Sequence, residues 1–470
     1  MTSTPPVSSS ADALLPREVV ATQRDFFKLG YTRDVDYRLR RLQDLRRAIE
    51  EQQDRLLRAL QVDLGKPTLE AALAEISFCL SEIDRALKHL RRWAKPRSVG
   101  LPWALWPGSG RVQREPLGVV LIMGAWNYPV QLTLAPLVGA IAAGNCVIVK
   151  PSEVAPASSR AIADLLRRAF DPMYVAAVEG GVQVSQALLE ERFDHIFYTG
   201  GPTVAKVVMA YAAKHLTPVT LELGGKNPCV VDRSANLPIA ARRIVWGKFF
   251  NAGQTCLAPD YVLVPRDREA EFLELVTAAI TQFFGPTPSL SPDFARIVND
   301  YHVDRLTRLI PGSGHLVAGG DVDQMQRYLS PTVLAGVQWT DPVMQEEIFG
   351  PILPVLAYDD LDGAIAQINA RPHPLAFYLF SENRAVNQAV CRETVSGSVC
   401  INDVMVQFSV PDFPFGGVGA SGMGRYHGQA SFETFSYERS LLWRSARPEI
   451  PLRYPPYTEA KLTWLDRAQR

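Results

Sequence analysis

One cysteine ends a loop-like stretch that could present a reactive thiol. Residues 251–256 read "NAGQTC" and end at Cys256, one of six cysteines in the chain. A free cysteine is most often a small buried hydrophobic residue. A catalytic thiol needs access to substrate, a route to its thiolate and a group that stabilises the charge it creates. The stretch alone leaves both interpretations open, and the residues that accompany Cys256 must decide between them.

A carboxylate and an amide could supply the missing functions. Glu222 ends a β-like run in "LELGGK", where apolar neighbours should raise its pKa and suit it to general-base work. Pairing with Lys226, or exposure to solvent, is the structural alternative. Asn127 follows an apolar run in "GAWNYP", and its amide could stabilise a developing oxyanion. A simple turn before Pro129 is the alternative there.

Two further stretches have features of a nucleotide site. "VIVKPSE" places Lys150 at the end of a strand and Glu153 three residues later. Ligands gather at the carboxyl ends of parallel strands, where these side chains could bind ribose hydroxyls; a surface ion pair is the alternative. "FYTGGPTVAK" joins a strand to a helix through Gly200 and Gly201. It could cradle a pyrophosphate, although it lacks the GxGxxG fingerprint.

The elements that must position these residues alternate along the chain. Residues 16–95 have leucines at helical spacing, with Gly65 ending one helix. The predicted strands are "VVLIMGAW", "CVIVK", "HIFYTG" and "VTLELGG", followed after residue 225 by "PCVVD", "YVLVP" and "ILPVLAY". Helical segments separate several of them, which predicts parallel strands joined by right-handed crossovers in a doubly wound α/β sheet, with a second α/β unit after residue 225.

One apolar run resembles a membrane span. Residues 132–149 read "LTLAPLVGAIAAGNCVIV". We expect Pro136 to break its early part and Gly144-Asn145 to stop the helix, so that a buried helix is followed by a turn and a strand. No other run approaches a span, and the Ser/Thr/Pro-rich N-terminus reads as a frayed tail and not as a signal peptide. A soluble, cytoplasmic protein is therefore expected.

Composition excludes several classes of function. The 49 basic and 49 acidic residues of the 470-residue chain cancel, which argues against a nucleic-acid partner. The cysteines and seven histidines are scattered without ligand spacing, so we expect no metal site and no disulfide framework. A cysteine hydrolase would need a histidine base, and no motif places a histidine near Cys256.

Six blocks, in this order, resemble the aldehyde dehydrogenase superfamily. They are "EPLGVVLIMGAWNYP", "AAGNCVIVKPSE", "LELGGKNP", "NAGQTCLAPDY", "EEIFGPILP" and "PFGGVGASGMGRYHG". The stretches "LSPTVL", "SFETFS" and "LRYPPYT" are similar to the class 3 branch, which includes fatty aldehyde dehydrogenases. The match runs from about residue 20 to about residue 458.

The resemblance implies an aldehyde dehydrogenase-like fold with three parts. A Rossmann-type NAD(P)-binding domain would comprise residues 1–97 and 115–223, and an α/β catalytic domain residues 224–432. Residues 98–114 and 433–470 would form a small bridging β element and C-terminal tail. The bridging strand would extend the sheet of a second copy, so a homodimer is expected. Fatty aldehyde members continue into a C-terminal membrane span, and we expect none here because the chain stops at "KLTWLDRAQR".

The resemblance also implies the activity and the site. The enzyme would oxidise medium- or long-chain aliphatic, aromatic or apocarotenal aldehydes to carboxylic acids through a thiohemiacetal and a thioester on the cysteine. Cys256 would be the nucleophile, Glu222 the base, and Asn127 an oxyanion donor. The implied cofactor contacts are Trp126, Lys150, Glu153, Gly200, Gly201, Gly224, Glu347 and Phe349.

The chain departs from the family pattern at the pyrophosphate loop. Ala205 stands where the family often has glycine, and Gly201-Pro202 replaces a small polar residue and Ser or Thr. Glu153 should repel a 2′-phosphate, so we expect NAD, with NADP as the alternative. A CoA-acylating dehydrogenase is a second interpretation, which Glu222 disfavours because hydrolysis needs a base. A non-catalytic binding protein of the same fold is a third, which the presence of all three catalytic residues disfavours.

Overall fold

The computed structural model describes residues 16–449 and 451–468, so the predicted N-terminal tail lies outside the described residues. The α-helices are α1 (Pro16–Lys28), α2 (Val35–Glu51), α3 (Gln53–Leu64), α4 (Thr68–Ala71), α5 (Phe78–Trp93), α6 (Gln131–Ala143), α7 (Pro156–Ala169), α8 (Val182–Glu190), α9 (Pro202–His215), α10 (Leu237–Phe249), α11 (Glu269–Phe284), α12 (Asp300–Thr307), α13 (Leu361–Asn369), α14 (Arg384–Glu393), α15 (Gly428–Thr434) and α16 (Glu459–Ala468).

The strands form three larger sheets and one two-stranded ribbon. They are β1 (Arg97–Val99), β2 (Gly108–Pro116), β3 (Val119–Met123), β4 (Cys146–Lys150), β5 (Val175–Ala177), β6 (His195–Thr199), β7 (Val219–Glu222), β8 (Pro228–Val231), β9 (Tyr261–Pro265), β10 (His315–Ala318), β11 (Val322–Asp323), β12 (Tyr328–Leu329), β13 (Thr332–Ala335), β14 (Ile352–Tyr358), β15 (Ala376–Phe380), β16 (Ser398–Ile401), β17 (Gly422–Met423) and β18 (Ser436–Arg444).

The first sheet is doubly wound. Its order is β17-β7-β6-β3-β4-β5, and only the β17–β7 pair is antiparallel. The helices α1 and α6 pack against β3 and β4, and every residue of these two strands is buried. The order reverses between β3 and β6, which is the topological switch point where such sheets bind ligands. The predicted α/β class and the four predicted strands of this unit are confirmed.

The second sheet repeats the pattern with seven strands. Its order is β10-β13-β14-β9-β8-β15-β16, with β10 alone antiparallel to its neighbour. The three strands predicted after residue 225 correspond to β8, β9 and β14. The strand β17 belongs by sequence to this half of the chain but pairs with β7 of the first sheet. The two sheets are thereby connected at the strand that ends in Glu222.

A small antiparallel sheet stands apart from the other two. Its order is β1-β2-β18, and β18 pairs with β2 from Ser436↔Pro116 to Arg444↔Gly108. The exposed residues of β18 include Leu442 and Trp443. The predicted domain limits remain predictions, although this sheet takes strands from both of the segments that the resemblance assigns to the bridging element and tail.

The helices follow the sequence signals with one exception. Gly65 caps α3 with φ of 55°, and Gly144 ends α6 with φ of 96°, as the glycine stop signals indicate. The prediction that Pro136 breaks the apolar helix is wrong, because Pro136 lies inside α6. An interior proline costs a helix about 3 kcal/mol, but all thirteen residues of α6 are buried, and this packing outweighs that cost.

The apolar run that resembles a membrane span has a structural outcome as well. Within residues 16–449 and 451–468, no helix has both the length and the apolar composition that crossing a membrane requires. The apolar stretch at 132–149 is divided between α6 and β4, which together belong to the core of the first sheet.

Candidate active site

A single cavity brings all of the predicted site residues together. It has a volume of about 780 Å³, and its lining includes residues that directly follow β3, β4, β6 and β7. Each of the eleven predicted residues lines it: Asn127, Glu222, Cys256, Trp126, Lys150, Glu153, Gly200, Gly201, Gly224, Glu347 and Phe349. Since the strands run parallel, their carboxyl ends meet at one edge of the sheet, which is why residues far apart in sequence converge here.

The loop that carries Cys256 has an unusual backbone. Asn251, Ala252 and Gly253 have successive φ values of 52°, 51° and 73°. The left-handed region is unfavourable for residues with a Cβ atom. At Gly253 a Cβ atom would lie 2.3 Å from the carbonyl oxygen of Gly350, so only glycine fits. Such strain persists only where surrounding contacts over-determine the loop.

Hydrogen bonds supply those contacts. The Gln254 amide donates to the carbonyls of Asn251 and Arg296 at 3.1 and 2.9 Å, and its oxygen accepts from the Val298 amide at 2.9 Å. On the other side of the thiol, the Asn227 side chain donates to the Cys256 carbonyl at 2.6 Å. The loop is therefore held on both sides of Cys256.

Asn127 is joined directly to this loop. Its side-chain nitrogen donates to the Gln254 carbonyl at 3.0 Å. Next to it, the Tyr128 hydroxyl and the Thr255 hydroxyl lie 2.7 Å apart. A primary amide carries two N–H donors, and Gln254 occupies one of them. Asn127 also lines the cavity, so its second N–H is a candidate donor to a ligand there.

The Cys256 thiol lies in a poorly solvated place beside two acids. It is partly accessible from the cavity, but the protein packed around the sulfur removes water from its thiolate. This burial raises the pKa of Cys256 to about 12, the carboxylates of Glu347 and Glu222 raise it further, and the backbone amides of Cys256 and Leu257 lower it. The resting thiol is protonated at neutral pH, so a base must take its proton before attack.

Glu222 is one of these two acids. It ends β7, it is only 3% exposed, and neither carboxylate oxygen has a hydrogen-bond partner within the described residues. Burial raises the pKa of Glu222 well above its ordinary value, while Arg425 lowers it. The alternative pairing with Lys226 is wrong, because Lys226 bonds to Asp260 and to the carbonyls of Val343 and Glu346.

The part of the cavity beside β4 and β6 has an ion pair and two glycines. Lys150, at the end of β4, forms an ion pair with Glu153. Gly200 and Gly201 separate β6 from α9, and a Cβ atom at Gly201 would meet nothing within 4 Å. The helix α9 begins directly after Gly201, where no side chain covers the backbone. An exposed helix N-terminus of this kind can bind an anion. Ala205 lies on the buried face of α9, is 2% exposed and does not line the cavity.

Glu347 and Phe349 also line the cavity. A Cβ atom at Gly224 would lie 2.2 Å from the Glu347 carboxylate, so the acid occupies the space that glycine leaves. Burial raises the pKa of Glu347 to about 8. Phe349 has φ of 49°, and its ring lies edge-on to Trp126 with centroids 5.3 Å apart. This geometry places an apolar wall beside the acid.

Two residues of α12 also belong to the site and were not predicted. His302 lines the cavity, 5.1 Å from the Trp126 ring, and burial lowers its pKa to about 4. Arg305 donates to the carbonyls of Glu347 and Ile348, so it fixes the backbone that carries the Glu347 carboxylate. Their three-residue spacing on a helix gives no signal by itself, because nothing in the sequence indicates which face of α12 meets the cavity.

A doubly wound sheet has a glycine-flanked strand end, an ion pair at a neighbouring strand end and, in the same cavity, a thiol, a buried acid and an amide. This is the architecture of a nucleotide-dependent dehydrogenase. The aldehyde dehydrogenase family model matches residues 11–441. The chain therefore belongs to the aldehyde dehydrogenase family, and it is an NAD(P)-dependent aldehyde oxidoreductase.

The named relatives agree with the predicted branch. Aldehyde dehydrogenase family 3 member B1 of Rattus norvegicus is 48% identical over 441 residues, covering 93% of this chain and 94% of the relative. The 4,4'-diaponeurosporen-aldehyde dehydrogenase of Staphylococcus aureus (strain NCTC 8325 / PS 47) is 45% identical over 433 residues, covering 92% of this chain and 94% of the relative. The class 3 resemblance is confirmed.

Solved structures confirm the fold and the cofactor class. The substrate-bound state of Staphylococcus aureus AldH has a TM-score of 0.94 at 43% identity, covering 97% of this chain and 99% of that chain. An indole-3-acetaldehyde dehydrogenase solved with NAD+ has a TM-score of 0.83 at 28% identity, covering 93% of this chain and 90% of that chain. The fold is the aldehyde dehydrogenase fold, with a Rossmann-type unit, a second α/β unit and a small bridging sheet.

Proposed function

We propose that this dehydrogenase oxidises medium- and long-chain aliphatic, aromatic or apocarotenal aldehydes to carboxylic acids. The observation that carries the proposal is the apolar lining of the cavity next to Cys256. That lining includes Leu73, Phe78, Leu132, Trp246, Phe250 and Phe408. An elongated apolar aldehyde would bury its chain against these side chains, at about 25 cal/mol per Å² of apolar surface. The name of the Staphylococcus aureus relative refers to 4,4'-diaponeurosporen-aldehyde, which we take as a guide to the substrate class.

In the proposed mechanism Cys256 is the nucleophile. The thiol first gives its proton to water in the cavity, the sulfur adds to the aldehyde carbon, and the carbonyl π electrons move to oxygen to give a thiohemiacetal oxyanion. The free N–H of Asn127 and the backbone N–H of Cys256 stabilise this charge. Bound NAD(P) supplies the hydride acceptor. When the hydride leaves, the oxyanion collapses to a carbonyl and a thioester remains on Cys256.

Glu222 is the proposed base. Its unpartnered carboxylate and raised pKa suit it to remove a proton from water that attacks the thioester. The tetrahedral adduct then expels the Cys256 sulfur, the sulfur is reprotonated, and the carboxylic acid leaves. Hydrolysis through Glu222 is the reason that we favour this reaction over CoA acylation. A non-catalytic protein of this fold would have no need for a buried acid without a partner.

We propose that the cofactor contacts follow the cavity from end to end. Lys150 and Glu153 would bind the adenosine ribose, and Gly200 and Gly201 the pyrophosphate at the α9 N-terminus. Glu347, seated on Gly224, would bind the nicotinamide ribose, with Phe349 and Trp126 beside the ring. Because the Glu153 carboxylate lines the cavity and would repel a 2′-phosphate, we propose NAD as the preferred cofactor and NADP as the weaker one.

We also propose a homodimer and a cytoplasmic location. The dimer proposal rests on the free edge of β18, where Leu442 and Trp443 are exposed on a strand that could pair with a second copy. The location proposal rests on the six cysteines, which are all free thiols, as is usual in a reducing compartment.

The first experiment measures initial rates of reduced-nicotinamide formation with decanal, comparing NAD with NADP in the absence of CoA. We expect aldehyde-dependent reduction, a higher kcat/KM with NAD, and a kcat/KM that increases from propanal to decanal. A rate that requires CoA would replace the proposal by the acylating reaction. No reduction of either cofactor by folded protein with a titratable thiol would reject decanal as a substrate, and a preference for propanal would reject the apolar substrate class.

A further inference from the structure

A buried ion pair lies beneath the Asn127 loop, and the proposed reaction does not use it. Lys66 and Glu75 are bonded to each other, and both side chains are 0% exposed. Neither residue lines the cavity, so neither can contact an aldehyde or a nucleotide there. A fully buried pair of charges with no access to substrate requires a different explanation.

Local backbone structure brings the two charges together. Lys66 follows Gly65, the left-handed residue that ends α3. Glu75 lies in a π-helical segment, Ala72–Ser77, inserted between α4 and α5. A π-helical turn changes the direction of the side chains that follow it and is frequent at functional sites. Here one side of the segment presents Leu73 and Ala74 to the cavity, while Glu75 is buried against Lys66.

Glu75 holds the start of α6. Its first oxygen bonds to Lys66, and its second accepts from the backbone amides of Val130 and Gln131 at 2.8 and 3.3 Å. The first amides of a helix have no partner within the helix. A buried carboxylate that accepts from them fixes the position of the turn that begins three residues after Asn127.

Lys66 holds Asn127 itself. Its ammonium donates to the Asn127 backbone carbonyl at 2.9 Å, and the Asn251 side chain donates to the same oxygen at 3.0 Å. The ammonium also lies 4.0 Å from the centre of the Tyr128 ring, and the Tyr128 hydroxyl bonds to Thr255. The Asn127 backbone is thus held from the first unit and from the Cys256 loop at once.

Stability alone does not account for such a pair. Desolvation of two charges often exceeds their attraction, and apolar replacements of buried pairs are frequently neutral or stabilising. Burial lowers the pKa of Lys66, while Glu75 opposes this change. What the pair provides that two apolar residues could not is a directed donor to one carbonyl and directed acceptors for two amides.

We propose that Lys66 and Glu75 are positioning residues that fix the Asn127 side-chain amide for oxyanion stabilisation in aldehyde oxidation. The inference rests on the proposed role of Asn127. Lys66 fixes the backbone of Asn127, Glu75 fixes the turn after it, and Gln254 orients the amide so that one N–H remains directed to the substrate oxygen. Misplacement of a catalytic group by about 1 Å can cost a hundredfold in rate.

The test is a double-mutant cycle between this pair and Asn127. The variant Lys66→Met/Glu75→Gln removes both charges and keeps similar shapes, so neither charge of the pair is left without the other. We expect kcat with decanal to fall between about tenfold and a hundredfold, with the KM for NAD and the alkylation rate of Cys256 within about twofold of the parent. In the Asn127→Ala background, the same pair of substitutions should change kcat by less than about twofold, because the group through which they act is absent.

Arg38 provides the matched control. It is a buried cation that donates to the carbonyls of Thr32 and Ala142, and Ala142 lies at the opposite end of α6. Arg38→Met should lower the melting temperature without lowering kcat. Equal losses of kcat in Arg38→Met and in Lys66→Met/Glu75→Gln would overturn the proposal and assign the pair to general stability.

The remaining outcomes separate the two levels of inference. Multiplicative effects of the pair and of Asn127→Ala would also overturn the positioning role. If Asn127→Ala itself leaves kcat unchanged, the oxyanion role fails and the positioning role fails with it. If Asn127→Ala lowers kcat but Lys66→Met/Glu75→Gln does not, the oxyanion role stands and only the positioning role is rejected. The comparison uses Lys66→Met/Glu75→Gln and neither single variant, because each single variant would leave one buried charge without its partner.

Discussion

The side-chain amide of Asn127 lies 3.0 Å from the backbone carbonyl of Gln254, two residues before the reactive thiol. This bond crosses between the loop after β3 and the strained loop that carries Cys256. It fixes one N–H of the amide. Because a primary amide is planar, the direction of its second N–H is then fixed as well. A thiol whose pKa burial raises to about 12 gains little from its own ionisation. The surrounding groups must therefore stabilise the charge that forms when it attacks.

Removal of the Asn127 amide should affect the chemical step and spare the thiol. We expect Asn127→Ala to lower kcat/KM for aldehydes by about 10²- to 10³-fold, the usual cost of one oxyanion donor. Alkylation of Cys256 by iodoacetamide forms no oxyanion, so its rate should stay within about twofold of the parent. Steady-state kinetics and mass-spectrometric alkylation rates check this pair of outcomes. A parallel loss of alkylation would indicate a displaced loop and contradict the assigned role.

Replacement of the buried acid should separate acylation from hydrolysis. Glu222→Gln retains the shape but cannot accept a proton, so kcat should fall by about 10²- to 10⁴-fold. Rapid mixing should still show a burst of reduced nicotinamide approaching one per site, because hydride loss precedes hydrolysis. An unchanged kcat without CoA would reject Glu222 as the base.

The raised pKa of Glu222 predicts that kcat depends on pH. Burial raises the pKa of Glu222, so the carboxylate needed as a base forms only as pH increases through that raised value. The parent kcat should therefore increase with pH well above the ordinary titration range of a glutamate, while the residual kcat of Glu222→Gln should lack that increase. A pH–rate profile of both proteins measures the difference, and identical profiles would contradict it.

Cofactor choice should respond to the charge at position 153. Glu153→Gln removes a carboxylate and releases Lys150 from its ion pair, which should favour a 2′-phosphate. We expect the kcat/KM ratio of NADP to NAD to increase about tenfold, equivalent to ~1.4 kcal/mol. The control is Glu190→Gln, which removes an acid from an exposed ion pair with Lys214, and it should leave the ratio unchanged. No shift in the ratio for Glu153→Gln would show that other residues set the preference.

A buried histidine should make the fold sensitive to acid. His427 is surrounded by Phe408, Phe415 and Tyr426, and burial lowers its pKa from 6.5 to about 3. Below pH 6.5 this histidine binds a proton in the unfolded chain but stays neutral in the folded protein, so the free energy of unfolding falls as pH falls. At pH 5 this amounts to about 2 kcal/mol.

The substitution His427→Phe should remove that contribution. We expect the free energy of unfolding to decrease by about 2 kcal/mol less between pH 7 and pH 5 in this variant than in the parent. The matched control is His315→Gln at an exposed position, which should keep the parent slope. Urea titrations at the two pH values measure the slopes, and equal slopes for His427→Phe and the parent would refute the assignment.

Much of the fold and the site could be predicted from the sequence because their signals are local. Buried parallel strands such as β3 and β4 appear as short apolar runs, and glycines mark helix ends at Gly65 and Gly144. The residues that line the cavity, including Cys256 and Glu222, directly follow or adjoin such runs and turns. The resemblance then gave them roles that their spacing alone left open.

Only the tertiary structure decided which distant groups support them. Pro136 remains inside α6 because complete burial of the helix outweighs a local breaking signal. His302 and Arg305 join the cavity through the docking of α12, and Lys66 reaches Asn127 across 61 residues. Lys226 bonds to Asp260, 34 residues away, and not to nearby Glu222. The sequence determined which chemical groups are present and which strands carry them. Long-range packing determined which groups are paired, desolvated or left free, because these properties depend on neighbours that chain order does not specify.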